Sequence, residues 1–514
     1  MTQEAMIARP TGAAASWLLF TVVALAPLPF GSNEPVPIAF WCIALGICLV
    51  MVPVPALRTG ELLLVGLAAA VVAAYGFVLH EQLSGHPWLA KPDPIWKEAS
   101  DALGMALTPS AAIAHGEPFL ALGRPLVCML AVTCGFLAGR DGDRARQLMK
   151  VIAWSGAAYA CYGILAHLFD PEHILGLTKE VYLDSVTATF INRNTAATYF
   201  GSCAVVWSVI LWDRVRRATT QRPIRWRVML TEVLTARPAR IVVTFAMLML
   251  CLLALFMTGS RAGVMLSLLA LIIAFVMFFR RDLPRRSGLF TALAGAGVTA
   301  VLVLQVMGGA VNSRFDAQGL ADEGRLDTYR ATLRLIADHP WFGTGQGTFA
   351  LVFPAYRSSN VSIWGTWDMA HNTLLQLAAD MGIPVAAIVV IAWCVIFAVL
   401  LRGALIRRGG LSCPVAALAV AVLAVLHSMV DFSLQIPGYA IVALALIGAG
   451  LAQSFPPGAP RGDGSLQSQK SEPAAKANFS PGPALARNEA RVWPRGDVAQ
   501  RLKRTAAARG RLPT

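Results

Sequence analysis

The chain reads as an all-α, polytopic transmembrane helix bundle carrying a small helical cap on one face. Three observations predict this. Apolar residues make up 56% of the 514 residues and charged residues only 14%, against about 25% charged in soluble globular proteins. Apolar stretches of roughly 20 residues, enough to cross the hydrocarbon core, recur along nearly the whole sequence. Basic residues gather in alternate loops between those stretches, as the positive-inside rule describes. Backbone polar groups in lipid must be satisfied within the chain, so the spans are helices.

Taken in order, the expected spans are 14–30, 35–53, 60–80, 118–139, 151–169, 195–212, 241–258, 263–279, 288–308, 384–401, 413–430 and 437–453. The first follows Arg9 and is read as a retained span rather than a signal peptide, which keeps the N-terminus on the side of Arg58. Arg140, Arg144, Arg146 and Lys150 fall on that side. So do the eight arginines from Arg214 to Arg240, then Arg280, Arg281, Arg285 and Arg286, and finally Arg402, Arg407 and Arg408. That face and both termini are therefore expected to be cytoplasmic, and the net charge of +14 is topological rather than a sign of nucleic-acid binding. Residues 1–453 form the membrane domain. Residues 454–514, rich in Pro, Gly, Ala, Ser and Arg without apolar periodicity, read as a disordered basic cytoplasmic tail. The nine cysteines are scattered singly, which gives neither a disulfide framework nor a metal site.

On the opposite face the loop 309–383 is the longest, and a loop of that length carries function or disorder. In "GRLDTYRATLRLIADHP", Leu326, Tyr329, Leu333 and Ile336 recur at helical spacing and Pro340 ends the run. "WDMAHNTLLQLAADMG" predicts a second helix stopped by Gly382 and Pro384, with His371 on the face of Leu374, Leu375 and Ala378. The loop thus reads as a folded cap.

Candidate chemistry collects on the cap side. Arg261 is the only charged residue between Arg240 and Arg280. Helix through residues 241–279 would run about 58 Å, roughly twice the hydrocarbon thickness, so the segment folds back at "TGSRAG" and leaves Arg261 at the outer surface. Ser260 is placed to cap the next helix, whose unpaired N–H groups favour an anion. A cation there does not compensate the helix dipole. Two readings follow: the site binds an anion, or Arg261 snorkels to water and headgroups. Taken alone, His371 is more often a packed or interface residue than a catalyst, but a neutral imidazole, whose unperturbed pKa is about 6.5, is the natural general base at extracytoplasmic pH. Arg330 and Arg334, with Asp327 and Asp338 in pairing range, read as a solvated ion-paired face. Arg325 lies off that stripe and is freer to meet a ligand. Arg193 in "FINRN" and Arg124 stand near the outer ends of their spans. Trp364, Trp367, Tyr356 and Phe353 fit sugar stacking or membrane anchoring. "GTGQG" (343–347) lacks the GK[ST] of a phosphate loop and reads as a flexible turn. "DGD" (141–143) reads as a plain polar turn.

In this order, "FINRNTAATYF", "TGSRAG", "GRLDTYRATLRLIADHPWFGTGQGTF", "WDMAHNTLLQLAADMGIP" and "HSMVDFSLQIPGYA" resemble the O-antigen ligase family, most closely over 241–383. The resemblance implies a GT-C-like membrane glycosyltransferase of the inner membrane with a periplasmic site. It moves a glycan from undecaprenyl pyrophosphate to a glycan or lipid A-core acceptor. Such a donor is already activated, so no cofactor is expected, and the loop 309–383 offers no cluster of carboxylates for a divalent ion, which predicts metal independence. The resemblance also implies catalytic roles for Arg261, Arg325 and His371. Arg193, Arg124, Asn372, Tyr329 and Asp431 join them as candidate substrate-binding residues. Leu374 stands where family members often carry an aromatic, which bears on the acceptor. In this reading the Arg261 guanidinium and the His371 imidazole line one pocket at the outer leaflet. Two other functions fit the composition: a glycan or anion transporter or channel, which should place ionisable residues near mid-membrane, and a non-catalytic lipid-binding scaffold. Ligation and polymerisation are not separated by the sequence.

Overall fold

A computed structural model describes residues 3–52, 57–218, 238–282, 323–359, 361, 367–407 and 409–455. The expected span 288–308, Arg285, Arg286, Arg408, Trp364, the first part of the cap loop and all but the start of the tail lie outside them.

Each of the other eleven expected spans coincides with a helix: α1 Gln3–Leu25, α2 Pro35–Met51, α3 Thr59–Leu83, α6 Gly123–Gly139, α7 Gly142–Phe169, α8 Arg193–Ala218, α9 Pro238–Met257, α10 Arg261–Phe279, α14 Ile383–Ile406, α15 Ser412–Ser428 and α16 Pro437–Ser454. Among the described residues, eight helices, one of them counted from Glu117 through Gly139, are long and apolar enough to cross a membrane; α1, α2 and α15 contribute shorter apolar stretches. The described residues form an all-α polytopic bundle, in which two-residue strands at His173–Ile174 and Leu177–Thr178 make one small hairpin. Local sequence sets the helix ends. Proline stands in the first turn of α2 and α16, where its missing N–H costs nothing. Asp141, from the "DGD" turn, caps α7 by accepting from the N–H groups of Asp143 and Arg144.

The bundle is organised round α16, whose residues are almost all buried. It lies against α6 through small residues: a Cβ added at Gly135 would come within 2.2 Å of the Ala445 carbonyl oxygen, and one at Gly139 within 2.4 Å of the Ala449 Cα. Such close approach gives helices in lipid van der Waals contact that larger side chains would prevent. Tyr199, Phe200 and Trp207 of α8 fill the remaining centre.

One end of the bundle is laced by arginines. Arg140 meets the buried Glu61 at 3.3 Å, Arg216 meets Asp282 at 3.4 Å, Arg281 donates to the Leu405 and Ile406 carbonyls, and Arg407 donates to Gln453. These are the basic loops expected to share a face, and among the described residues they do.

The cap occupies the other end. Its helices are α11 Glu323–Asp338, α12 Phe349–Tyr356 and α13 Thr373–Met381. They enclose a core of their own that includes Leu335, Phe349, Phe353 and Ala379. Short helices α4 Ile95–Leu103 and α5 Glu117–Leu120 lie in the preceding loop. Gln82 at the end of α3 ties the cap down: its amide donates to the carbonyls of Phe342 (2.7 Å) and Asp380 (2.8 Å) and accepts from Gln346 N–H (3.0 Å). The "GTGQG" stretch is a turn, but a fixed one rather than a flexible one. Its three glycines have positive φ, and Thr344 N–H bonds the Ala379 carbonyl at 2.9 Å.

Candidate functional site

The turn between α9 and α10 is built as the sequence suggests. Ser260 is the N-cap of α10, accepting from Gly263 N–H at 3.2 Å, and Arg261 is the first helical residue. The Ser260 hydroxyl donates in turn to the side-chain oxygen of Asn194 at 2.8 Å. Asn194 lies in the first turn of α8, and its amide nitrogen donates to Asp431. Asp431 follows α15 with its side chain only 1% exposed, and accepts from its neighbour Phe432 N–H as well. Arg325 closes the series from α11: one guanidinium nitrogen donates to the Val430 carbonyl at 2.6 Å and another meets Asp431 at 3.3 Å. Arg325 is therefore anchored to the Val430–Asp431 turn, with its side chain 25% exposed. Four sequence-distant motifs meet here, at the cap end of the bundle.

The same turn receives the histidine. Asn372 donates to the Met429 carbonyl at 3.0 Å and caps α13 by accepting from Leu374 and Leu375 N–H, each at 3.1 Å. Helix α13 thus begins at Thr373, and His371 precedes it instead of sharing the face of Leu374 and Ala378. The reason is local: a side-chain oxygen at 372 competes for the helix's first N–H groups and stops it from extending backwards. His371 has φ +53°, a left-handed conformation rare for a residue with a Cβ that costs on the order of 1–3 kcal/mol. Tyr329 holds it by donating to the His371 carbonyl at 3.0 Å. The imidazole lies between Trp367 and Phe432, with ring centroids 5.5 and 5.0 Å away. Backbone strain held in place by surrounding contacts concentrates at functional sites.

Beside His371 opens a cavity of about 440 Å³, lined also by Asn33, Tyr182, Asn192, Thr195, Asp368 and Phe432 among others. That volume lies in the range of small-molecule sites. The described lining does not include Arg261 or Arg325; the Arg261 turn is connected to the surroundings of His371 through Asn194, Asp431 and Phe432. Arg193 and Arg124 each contact a residue of the cavity wall. Arg193 packs over the Tyr182 ring, 4.8 Å from its centroid, and Arg124 donates to Asn33 at 3.3 Å. The buried Thr195 hydroxyl, on the wall, has no hydrogen-bond partner among the described residues.

Sequence reasoning passed over Asn194, although "FINRN" was singled out for Arg193. The available signal was an amide side chain in the first turn of a span otherwise built of small and aromatic residues. It also passed over Asp380. That carboxyl is buried under the cap, accepts from Gly347 N–H at 3.2 Å, and is pushed up to about 7 by burial despite that bond and nearby Arg124. Arg330 pairs with Asp327 as expected, at 2.8 Å. Arg334 donates to the Tyr356 carbonyl, and Asp338 accepts from the Tyr356 hydroxyl. No three His, Cys, Asp or Glu side chains converge among the described residues.

Fold and site together define a multi-pass α-helical membrane protein with a polar centre at its capped end. Residues 246–390 match the family model described as O-antigen ligase, a stretch that contains Arg261, Arg325, Tyr329, His371 and Asn372. This part of the chain is similar to an O-antigen ligase domain, and the match supports a membrane ligase or polymerase of glycosyltransferase type acting on glycan and lipid-linked substrates. No curated protein matches the chain.

Proposed function

We propose that the protein transfers a glycan from undecaprenyl pyrophosphate to an acceptor hydroxyl at the periplasmic face of the inner membrane, without a metal ion or cofactor. The observation that carries this reading is that Arg325 and His371 both contact the segment Met429–Phe432 directly, while the Arg261 turn reaches it through Asn194. Guanidinium groups bind phosphate oxygens through paired, charge-assisted hydrogen bonds, so Arg261 and Arg325 receive the diphosphate. His371, facing a cavity large enough for a sugar, takes the proton from the acceptor O–H. The acceptor oxygen forms its bond to the anomeric carbon as the bond from that carbon to the pyrophosphate oxygen breaks. The electron pair leaves on that oxygen, where the two arginines stabilise it. A single displacement inverts the anomeric carbon. Asp431, expected from the family resemblance to bind substrate, acts here by orienting Arg325, and Arg193 and Arg124, each in contact with a residue of the cavity wall, contribute positive potential.

In cells carrying only His371→Ala or Arg261→Ala, inserted at normal levels, surface glycan made by this protein should be lost on polysaccharide gels. Arg261→Lys should be impaired, because an ammonium cannot make the forked contact. Normal glycan from both alanine variants would remove the assignment. The same gels separate the two chemistries: loss of the ladder on lipid A-core in a deletion strain means ligation, and collapse to single repeats means polymerisation. A transporter reading is disfavoured by the positions of Arg261, Arg325, His371 and Asp431 at the end of the bundle rather than at its midpoint.

A further inference from the structure

We infer that Asn194 is a positioning residue that sets the placement of Arg261 relative to Arg325 through a hydrogen-bond chain of fixed direction; this rests on the diphosphate reading above. The direction is fixed at the Asp431 end. An ionised carboxylate only accepts hydrogen bonds, so the amide nitrogen of Asn194 must face Asp431, and it does. The amide oxygen is then turned to Ser260, 2.8 Å away, whose hydroxyl must donate. The Ser260 oxygen is left to accept from Gly263 N–H at 3.2 Å, in the first turn of the helix that begins with Arg261. From the other side Arg325 meets Asp431 at 3.3 Å. Reversing the amide would set its oxygen against the carboxylate, so one orientation alone satisfies both neighbours.

Asn194 is itself held from behind. Its backbone N–H bonds the Asn192 side chain at 2.7 Å, and its carbonyl accepts from Thr198 at 2.8 Å. One amide on α8 therefore registers α10 against the cap helix α11, two elements that otherwise reach the site separately. Misplacement by about 1 Å of a group that binds the reacting part of a substrate can cost roughly a hundredfold in rate, which is why such a registering contact matters. Among the described residues, the charged and titratable groups facing Asp431 are Arg325 from the cap and His427 one turn earlier on α15.

The test uses the full chain in lipid nanodiscs and glycan-free undecaprenyl pyrophosphate as the probe, with affinity followed from acid to neutral pH. In Asn194→Asp a carboxyl replaces the donor opposite Asp431, and two carboxyls that close share one proton. At neutral pH affinity should fall about tenfold or more, the effect of losing a hydrogen bond to a charged group. It should recover toward the unsubstituted protein's value as the pH falls and the shared proton restores a donor. The exchange Asn194→Asp with Asp431→Asn again sets one amide against one carboxylate, and should bind better at neutral pH than either single variant. Unchanged affinity in Asn194→Asp overturns the inference, as does a loss that neither acid nor the exchange relieves, which would mark Asn194 as merely structural. Should Asn194→Asp not insert, Ser260→Ala breaks the chain at its other link and must also weaken binding; wild-type affinity there overturns the inference equally. Arg261→Ala separates the two levels: if it too binds normally, the diphosphate reading itself has failed.

Discussion

At the scale of single residues, Asp380 shows how burial turns a side chain into a pH-dependent contact. Its carboxyl sits beneath the cap with its pKa pushed up to about 7 by desolvation, against about 3.9 in an unfolded chain. Between those values the folded state holds a proton that the unfolded state has released, so stability is greatest below about pH 4 and falls as pH rises through about 7. The full loss is on the order of a few kcal/mol. Hydrogen exchange of the 343–348 amides, corrected for intrinsic rates, should speed up across that window. Asp380→Asn keeps an oxygen for Gly347 N–H and should flatten the dependence; an unaltered pH profile in that variant would assign the effect to another group. His371 teaches the complementary lesson. Its residue type and motif were legible in the sequence, whereas its left-handed backbone was not, because that depends on Asn372 capping forward and Tyr329 reaching across from α11.

Among the elements, α6 and α16 carry the most demanding contact. Gly135 and Gly139 let the two backbones approach where even a methyl group collides with the Ala445 carbonyl or the Ala449 Cα. Gly135→Leu should therefore lower the melting temperature and the yield of monodisperse protein, with overpacking costing about 1–3 kcal/mol. Gly104→Leu is no control, since its φ is +65°. Gly66→Leu is one, because nothing lies within 4 Å of a Cβ there and lipid can receive the larger side chain. Equal effects of the Gly135 and Gly66 substitutions would count against tight α6–α16 packing. The pairing itself could not be read from the sequence: periodicity locates each apolar helix, but in lipid every face is apolar, so the pattern does not say which face meets which neighbour.

For the whole molecule, the separation of the arginine-laced end from the capped end carries the functional argument. The positive-inside rule assigns the first to the cytoplasm. A cysteine introduced at Asp368, exposed beside the cavity, should react in intact cells with a membrane-impermeant maleimide once the outer membrane is permeabilised. One at the exposed Asp143 should react only after the inner membrane is breached. The opposite pattern would invert the topology and move the site away from periplasmic substrates.

The sequence by itself determined the all-α membrane class, eleven of the helices described here, the cap helix that begins near Arg325, and the motifs that resemble O-antigen ligases. These follow from local quantities: the length of apolar runs, the alternation of charge between them, and residues that start or stop helices. Only the tertiary structure decided that Arg325 is bound to the Val430–Asp431 turn, that Asn194 joins two motifs, and that His371 faces a cavity lined in part by Thr195 and Asp368. Those facts depend on which polar side chains meet when α8, α10, α11 and α15 are brought together. Hydrogen-bond partners far apart in the chain leave no periodicity in the sequence.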